Sequence, residues 1–75
     1  MSYYSKIHVQ HQSGTKATGK RVSLDFHYGG ITKGFYTDRK GVALIEHSSR
    51  GKATIYVSGS NKGTFNAPGE TVVFI

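Results

Sequence analysis

The chain has 75 residues, with ten Lys and Arg against four Asp and Glu, and a formal net charge of +6. This length predicts a single domain over residues 1–75, and a domain of this size buries only about 60% of the surface that its unfolded chain exposes. The absence of cysteine excludes a disulfide framework and a thiolate zinc site. No stretch approaches the roughly 18 apolar residues of a membrane span, and residues 1–6 lack the apolar region of a secretory signal. We therefore expect a soluble chain that is cytoplasmic by default.

The first strand is predicted over residues 6–11, where apolar and polar side chains alternate. Ile7 and Val9 fall on one face of this strand, while His8 and Gln10 fall on the other. The pattern is that of a half-buried strand with one face against a core.

A polar, glycine-containing connection over residues 12–20 leads to the clearest alternation in the chain, over residues 21–28. The side chains predicted to face the core are Val22, Leu24, Phe26 and Tyr28, and those predicted to face solvent are Arg21, Ser23, Asp25 and His27. The Gly-Gly pair that follows supplies the positive φ angles of a tight hairpin, which leads into a third strand over residues 31–37. Gly34 within this strand indicates a bulge or a close backbone approach.

Residues 38–41 separate the aromatic end of the third strand from an apolar run at residues 42–45. This arrangement predicts a tight turn followed by a fourth strand. We expect Asp38 to accept hydrogen bonds from nearby backbone N–H groups in the turn. Ala43 and Ile45 are predicted to point inward.

A polar loop over residues 46–51 precedes a strand over residues 52–58, in which Ala53, Ile55 and Val57 share one face. The remaining predicted elements are a turn at 59–63, a short strand at 64–65, a turn at 66–69 with Pro and Gly in type II positions, and a closing strand at 70–75. Six to seven short strands without an amphipathic helix predict an all-β fold. Either a small antiparallel β-sandwich of the Ig-like type or a small β-barrel fits this pattern.

Several segments follow one another in a characteristic order that covers about three quarters of the chain. They are Ile7-His8-Val9, Gly19-Lys20-Arg21-Val22-Ser23-Leu24, Gly30, Thr37-Asp38-Arg39-Lys40-Gly41-Val42-Ala43 and Gly51-Lys52-Ala53-Thr54-Ile55-Tyr56-Val57-Ser58-Gly59. This order resembles that of the transthyretin-like, or carboxypeptidase regulatory-like, β-sandwich domains. The shared elements are a strand, a glycine-containing connection, a strand ending in V-x-L, a T-D-x-x-G turn and a late strand between glycines. The resemblance implies an Ig-like sandwich that serves as an accessory, adhesion or partner-binding module.

Enzymes in the wider group, the hydroxyisourate hydrolases, carry a His and Arg constellation and a C-terminal Tyr-Arg-Gly-Ser. This chain has Val-Val-Phe-Ile at residues 72–75 instead, so no catalytic residue is carried over and we expect a protein that is not an enzyme. The four histidines predict no metal site, because His8 and His11 have opposite parity on the first strand and His27 and His47 lie in other elements. We expect no cofactor.

The candidate partner-binding surface combines cations with aromatic rings at solvent-facing and loop positions. Its residues are Arg21, His27, Lys33, Tyr36, Arg39, Lys40 and Tyr56. The first hypothesis is a module that binds a protein or carbohydrate partner through loops or a sheet face. The alternative is a basic, nucleic-acid-binding small β-barrel, since a net charge of +6 favours polyanions and exposed rings can stack on bases. Self-association through the apolar edge strand at residues 72–75 is a further expectation.

Overall fold

The computed structural model describes residues 2–75, which form eight β-strands in two sheets. The strands are β1 (Tyr3–Gln10), β2 (Arg21–Phe26), β3 (Gly30–Ile31), β4 (Phe35–Tyr36), β5 (Val42–His47), β6 (Gly51–Val57), β7 (Ser60–Ala67) and β8 (Glu70–Phe74). The three-stranded sheet has the order β5-β1-β8, with β1 and β8 parallel. The five-stranded sheet has the order β3-β2-β6-β7, with the short β4 also paired to β2. The predicted all-β sandwich is confirmed, and the sheets do not close into the alternative barrel.

The core lies between the two sheets and consists of alternate residues from their facing strands. Its fully buried members include Ile7 and Val9 of β1, Val22 and Leu24 of β2, Ala43 and Ile45 of β5, and Ala53 of β6. Each Ile or Leu removed from water contributes about 1.5–3 kcal/mol, which matters in so small a core. The side chains predicted to face the core in these strands do so. Successive residues of a strand point to opposite faces, so every second residue reaches the core.

Two predictions around the second and third strands are wrong. Tyr28, expected in the core, is 100% exposed, because β2 ends at Phe26 and the chain has already turned. The predicted strand at 31–37 is divided into β3 and β4. Thr32 interrupts the strand, because the N–H of Leu24 donates to the Thr32 hydroxyl at 3.1 Å in place of a backbone carbonyl.

Gly34 allows the close approach that its position predicts. A Cβ at this residue would overlap the side chain of Arg21, so the absence of one lets that side chain lie across the link between β3 and β4. Gly34 thereby leaves room for the side chain of one of the candidate cations.

The turn predicted at residues 59–63 is shorter than expected and lies earlier in the chain. Ser58 and Gly59 have φ angles of 51° and 84°, and β7 begins at Ser60 directly opposite Val57. Positive φ at both central residues is typical of a two-residue type I′ hairpin, which needs no further loop. Gly69 lacks the positive φ that the predicted type II turn requires.

The polar loop predicted from residue 46 is also wrong, because β5 continues to His47 and that side chain is buried. Its ring lies between Tyr3 and Phe26, with centroid separations of 6.0 and 5.0 Å. Histidine is tolerated there because both ring nitrogens have hydrogen-bond partners.

Candidate functional site

Five of the ten Lys and Arg side chains belong to two segments that meet at one end of the sandwich. This basic end comprises Lys16, Lys20, Arg21, Arg39 and Lys40. The connection between β1 and β2 supplies the first two cations, β2 begins with the third, and the turn between β4 and β5 supplies the last two. All are exposed except Lys20, which is half-buried.

Backbone hydrogen bonds hold these two segments together. The N–H of Gly19 donates to the carbonyl of Thr37 at 3.0 Å, and the N–H of Thr37 donates to the carbonyl of Lys20 at 3.0 Å. The N–H of Lys20 also donates to the Thr37 hydroxyl at 2.9 Å. Gly41 completes the contact, because its φ of 73° and a backbone approach to Val9 leave no room for a Cβ. The cations are therefore carried on a fixed frame rather than on independent loops.

Asp38 is the one carboxylate among residues 11–21 and 36–41. Its Oδ1 accepts hydrogen bonds from the backbone N–H groups of Val42 at 3.0 Å and Lys40 at 2.8 Å. These two bonds, with the charge of Lys40 adding to them, hold the pKa of Asp38 below its ordinary value. The predicted turn acceptor is confirmed. One carboxylate facing five cations leaves the basic end strongly positive.

The outer face of the five-stranded sheet adjoins the basic end and carries two of the predicted aromatic residues. Arg21 pairs with Tyr36 across β2 and β4, and Ser23 pairs with Tyr56 across β2 and β6. Residues 21 and 23 are on the same face of β2, so both tyrosines lie on one surface. The Tyr36 ring is 66% exposed, whereas Tyr56 is half-buried and lies opposite the buried Ser23. Of these two tyrosines, Tyr36 is the better able to stack on a ligand.

The structure separates two other predicted residues from this group. His27 lies at the far end of the same face, where its Nε2 is 3.2 Å from the Thr54 hydroxyl. Lys33 places its Nζ 5.5 Å from the centroid of the Phe35 ring, beside an open cavity of about 330 Å³ that Phe26 also lines. The predicted set therefore divides into a group around Arg21 and two separate positions.

Lys16 and Lys20 complete the basic end but are not in the predicted set. The sequence places both close to Arg21, which is a visible charge cluster. Their proximity to the turn at residues 38–41 depends on hydrogen bonds between distant segments, and no local pattern encodes those bonds.

A buried serine and histidine are arranged in a way that resembles a catalytic pair. The Ser5 hydroxyl lies 2.8 Å from Nε2 of His47, and Nδ1 of His47 lies 2.6 Å from the carbonyl oxygen of Ser49. A carbonyl only accepts, so Nδ1 carries a proton, and in that tautomer Nε2 accepts a hydrogen bond from the Ser5 hydroxyl. Ser5 is 1% exposed, so no substrate carbonyl can reach its oxygen. The pair joins β1 to β5 and has a structural role.

Residues 2–75 contain no group of three or more His, Cys, Asp or Glu side chains arranged to hold a metal ion. No helix with the length and apolar character required to cross a bilayer occurs in this part of the chain. Comparison of the chain with protein-family models, with curated proteins and with solved structures finds no match.

Proposed function

We propose that the protein is a non-enzymatic module that binds single-stranded nucleic acid through its basic end and the adjoining Tyr36 ring. The observation that carries the proposal is the joining of five cations by two hydrogen-bonded segments, next to a tyrosine that is 66% exposed. Cations that track a phosphate backbone and rings that stack on bases are the two elements of sequence-tolerant single-strand binding.

The expected energetics follow from this division of roles. Each phosphate contact releases condensed counterions, so affinity falls steeply as salt rises. A base stacked on an aromatic ring contributes about 1–3 kcal/mol. The cations thus supply most of the affinity at low salt, and Tyr36 supplies the preference for unpaired bases over other polyanions.

The non-enzymatic part of the proposal is supported by the burial of the serine and histidine pair. A nucleophile needs an accessible oxygen and donors around the developing oxyanion, and the Ser5 hydroxyl is already enclosed by His47 and the N–H of Gly69. The transthyretin-like resemblance, the protein or carbohydrate partner it implies, and a cytoplasmic location stay predictions. A cytoplasmic module would have access to RNA and DNA.

Fluorescence anisotropy with a labelled oligonucleotide of mixed sequence tests the proposal. For five phosphate contacts, the logarithm of the association constant should fall with the logarithm of salt concentration with a slope of about −3.5 for a single strand. The double variant Arg39→Ala/Lys40→Ala should bind several-fold more weakly and reduce the slope to about −2.

The double variant Arg50→Ala/Lys52→Ala is the matched control, since it also lowers the net charge by two, from +6 to +4. The control cations lie far from the basic end. Ser58 is at the basic end, because its N–H donates to the carbonyl of Arg21. Lys52 lies on β6 five residues before Val57, the neighbour of Ser58, and five residues span about 17 Å in a strand. No binding at low salt would refute the proposal, and so would equal losses in the two double variants.

The variant Tyr36→Ala separates nucleic acid from other polyanions. Binding of a single-stranded oligonucleotide should weaken about tenfold, while binding of a sulfated polysaccharide should be unchanged. Equal effects on both ligands, or no effect on the oligonucleotide, would contradict the stacking role and favour a carbohydrate or general polyanion partner.

A further inference from the structure

The outer face of the three-stranded sheet presents a second surface, which the basic end does not include. Four large hydrophobic side chains are about half exposed there: Tyr4 of β1, Leu44 of β5, and Val72 and Phe74 of β8. The strand register places them on one face, because Leu44 is opposite Lys6, Val72 is beside His8, and Phe74 is beside Gln10. Tyr4 and Leu44 line one groove, Val72 and Phe74 are neighbours on the same face of β8, and the polar side chains of β1 lie between the two pairs. Apolar side chains grouped on one face mark interaction surfaces more often than single scattered ones do.

The charge of this face differs from that of the rest of the chain. The three strands carry one Lys, no Arg and two of the four carboxylates, Glu46 and Glu70. Lys6 is beside Glu70 in the register, and Glu70 also lies 2.5 Å from Nε2 of His8. Lys16 pairs with Gln10 of β1 and adds a second cation at one end of this face. The local charge is thus near neutral, although the whole chain has a net charge of +6.

We infer that this face is the interface between two copies of the chain. Two molecules with a charge of +6 repel each other in most orientations, and this face is where that repulsion is least. A two-fold symmetric contact needs a self-complementary surface, and one Lys with two Glu provides it, because Lys6 of each copy can meet a carboxylate of the other. A partner with a basic docking surface would pair with the two Glu but would be repelled by Lys6.

The shape of the face fits the same arrangement. A shallow groove of about 390 Å³ lies at one end of the face, lined by Tyr4, Leu44 and Pro68 among others, and Phe74 projects at the other end. A two-fold axis perpendicular to the strands brings each Phe74 towards the groove of the other copy. Arg21 and Tyr36 belong to the opposite sheet and remain uncovered in this dimer, whereas Lys16, which pairs with Gln10 beside Phe74, lies at its edge. The inference is argued from the face of the three-stranded sheet alone and does not depend on the proposed function.

Sedimentation equilibrium of the 75-residue chain from micromolar to millimolar concentration tests the inference. The wild-type chain should associate to a dimer, and Phe74→Glu should lower the association constant at least about tenfold, because it replaces an apolar contact at the interface with a charge that must lose its hydration. Lys6→Glu should weaken association as well, since it removes the cation that is placed to meet a carboxylate of the other copy. Far-UV circular dichroism checks that both variants fold.

Ile31→Glu is the matched control, because Ile31 is an exposed hydrophobic residue of β3 in the opposite sheet. It should leave the association constant unchanged. A chain that stays monomeric over the whole range would overturn the inference. A dimer that Phe74→Glu leaves intact would overturn it too, and protection of edge amides of β5 or β8 from hydrogen exchange would then identify pairing through a strand edge.

Discussion

At the scale of single residues, the Ser5 hydroxyl joins more of the structure than its size suggests. It donates to Nε2 of His47 and accepts from the N–H of Gly69 at 3.2 Å, so it ties β1 to the end of β5 and to the turn before β8. Both partners are polar groups in a largely apolar environment. Leaving such groups unpaired costs more than an ordinary hydrogen bond contributes.

Ser5→Ala should therefore lower the free energy of unfolding by about 1–3 kcal/mol, because His47 and the N–H of Gly69 lose their partner. Urea denaturation followed by circular dichroism measures this difference. Ser60→Ala, at an exposed position of β7, is the control and should change the stability by less than about 0.5 kcal/mol. Equal midpoints for the two variants would show that the buried network contributes nothing.

Asp38 gives a pH-dependent prediction. Its pKa is lower in the folded chain than the ordinary value of 3.8, so its contribution to stability is present above that value and is lost as the pH falls through the lower, folded pKa. The stability difference between wild type and Asp38→Ala should thus be largest near neutral pH and shrink below 3.8.

Denaturation midpoints of both proteins across this pH range measure the effect. Asp38→Asn serves as the control, because its amide oxygen still accepts from Lys40 and Val42 but does not ionise. A wild-type advantage over Asp38→Ala that stays constant into strong acid would contradict the assignment.

At the scale of elements, the β6–β7 hairpin depends on two residues with positive φ. Gly59→Ala should lower the free energy of unfolding by about 1–2 kcal/mol, since an alanine is strained at a φ of 84°. Ser58→Asn should raise it, because Asn-Gly is the preferred type I′ pair. Thermal denaturation of both variants checks the opposite signs, and two shifts in the same direction would refute the turn assignment.

The strands differ in how far the sequence could predict them. Alternation in β1, β2, β5 and β6 encodes which side chains face the core, because one face of each strand meets the other sheet. It does not encode the burial of Ser23 and Thr54 on the outer face, where the alternation predicts a solvent-exposed Ser23. The extension of β5 to His47 could not be predicted, since a buried histidine requires partners from Ser5 and Ser49 that are visible only in the fold. The division of β3 from β4 by Thr32 has the same non-local origin.

The candidate site also has a part that the sequence predicts and a part that depends on contacts between distant segments. Arg21 and Tyr36 could be placed on a solvent-facing surface from alternation alone, and the structure puts them opposite each other. The addition of Lys16 and Lys20 depends on the hydrogen bonds from Gly19 and Lys20 to Thr37. A basic end of this kind arises from the packing of two connections, which a one-dimensional charge pattern does not contain.

At the scale of the whole molecule, charge is divided unevenly over the sandwich. Half of the Lys and Arg side chains lie at the basic end, while half of the Asp and Glu side chains lie on the outer face of the three-stranded sheet. The proposed nucleic-acid contact is centred on Arg21 and Tyr36 of one sheet and the inferred contact between copies on the other sheet, and the two surfaces adjoin at Lys16, which pairs with Gln10 beside Phe74. Tyr36→Ala should leave the association between copies unchanged, and anisotropy and sedimentation measure the two contacts separately.

The most direct test of the central proposal is an NMR titration of the ¹⁵N-labelled chain with a short single-stranded oligonucleotide at low salt. Backbone amide shifts should change at residues 16–21 and 36–41, and those changes should reverse when salt is added. Amides at the start of β8, around Glu70, should not respond to the oligonucleotide. Shift changes confined to β1, β5 and β8, or no changes at all, would contradict binding of nucleic acid at the basic end.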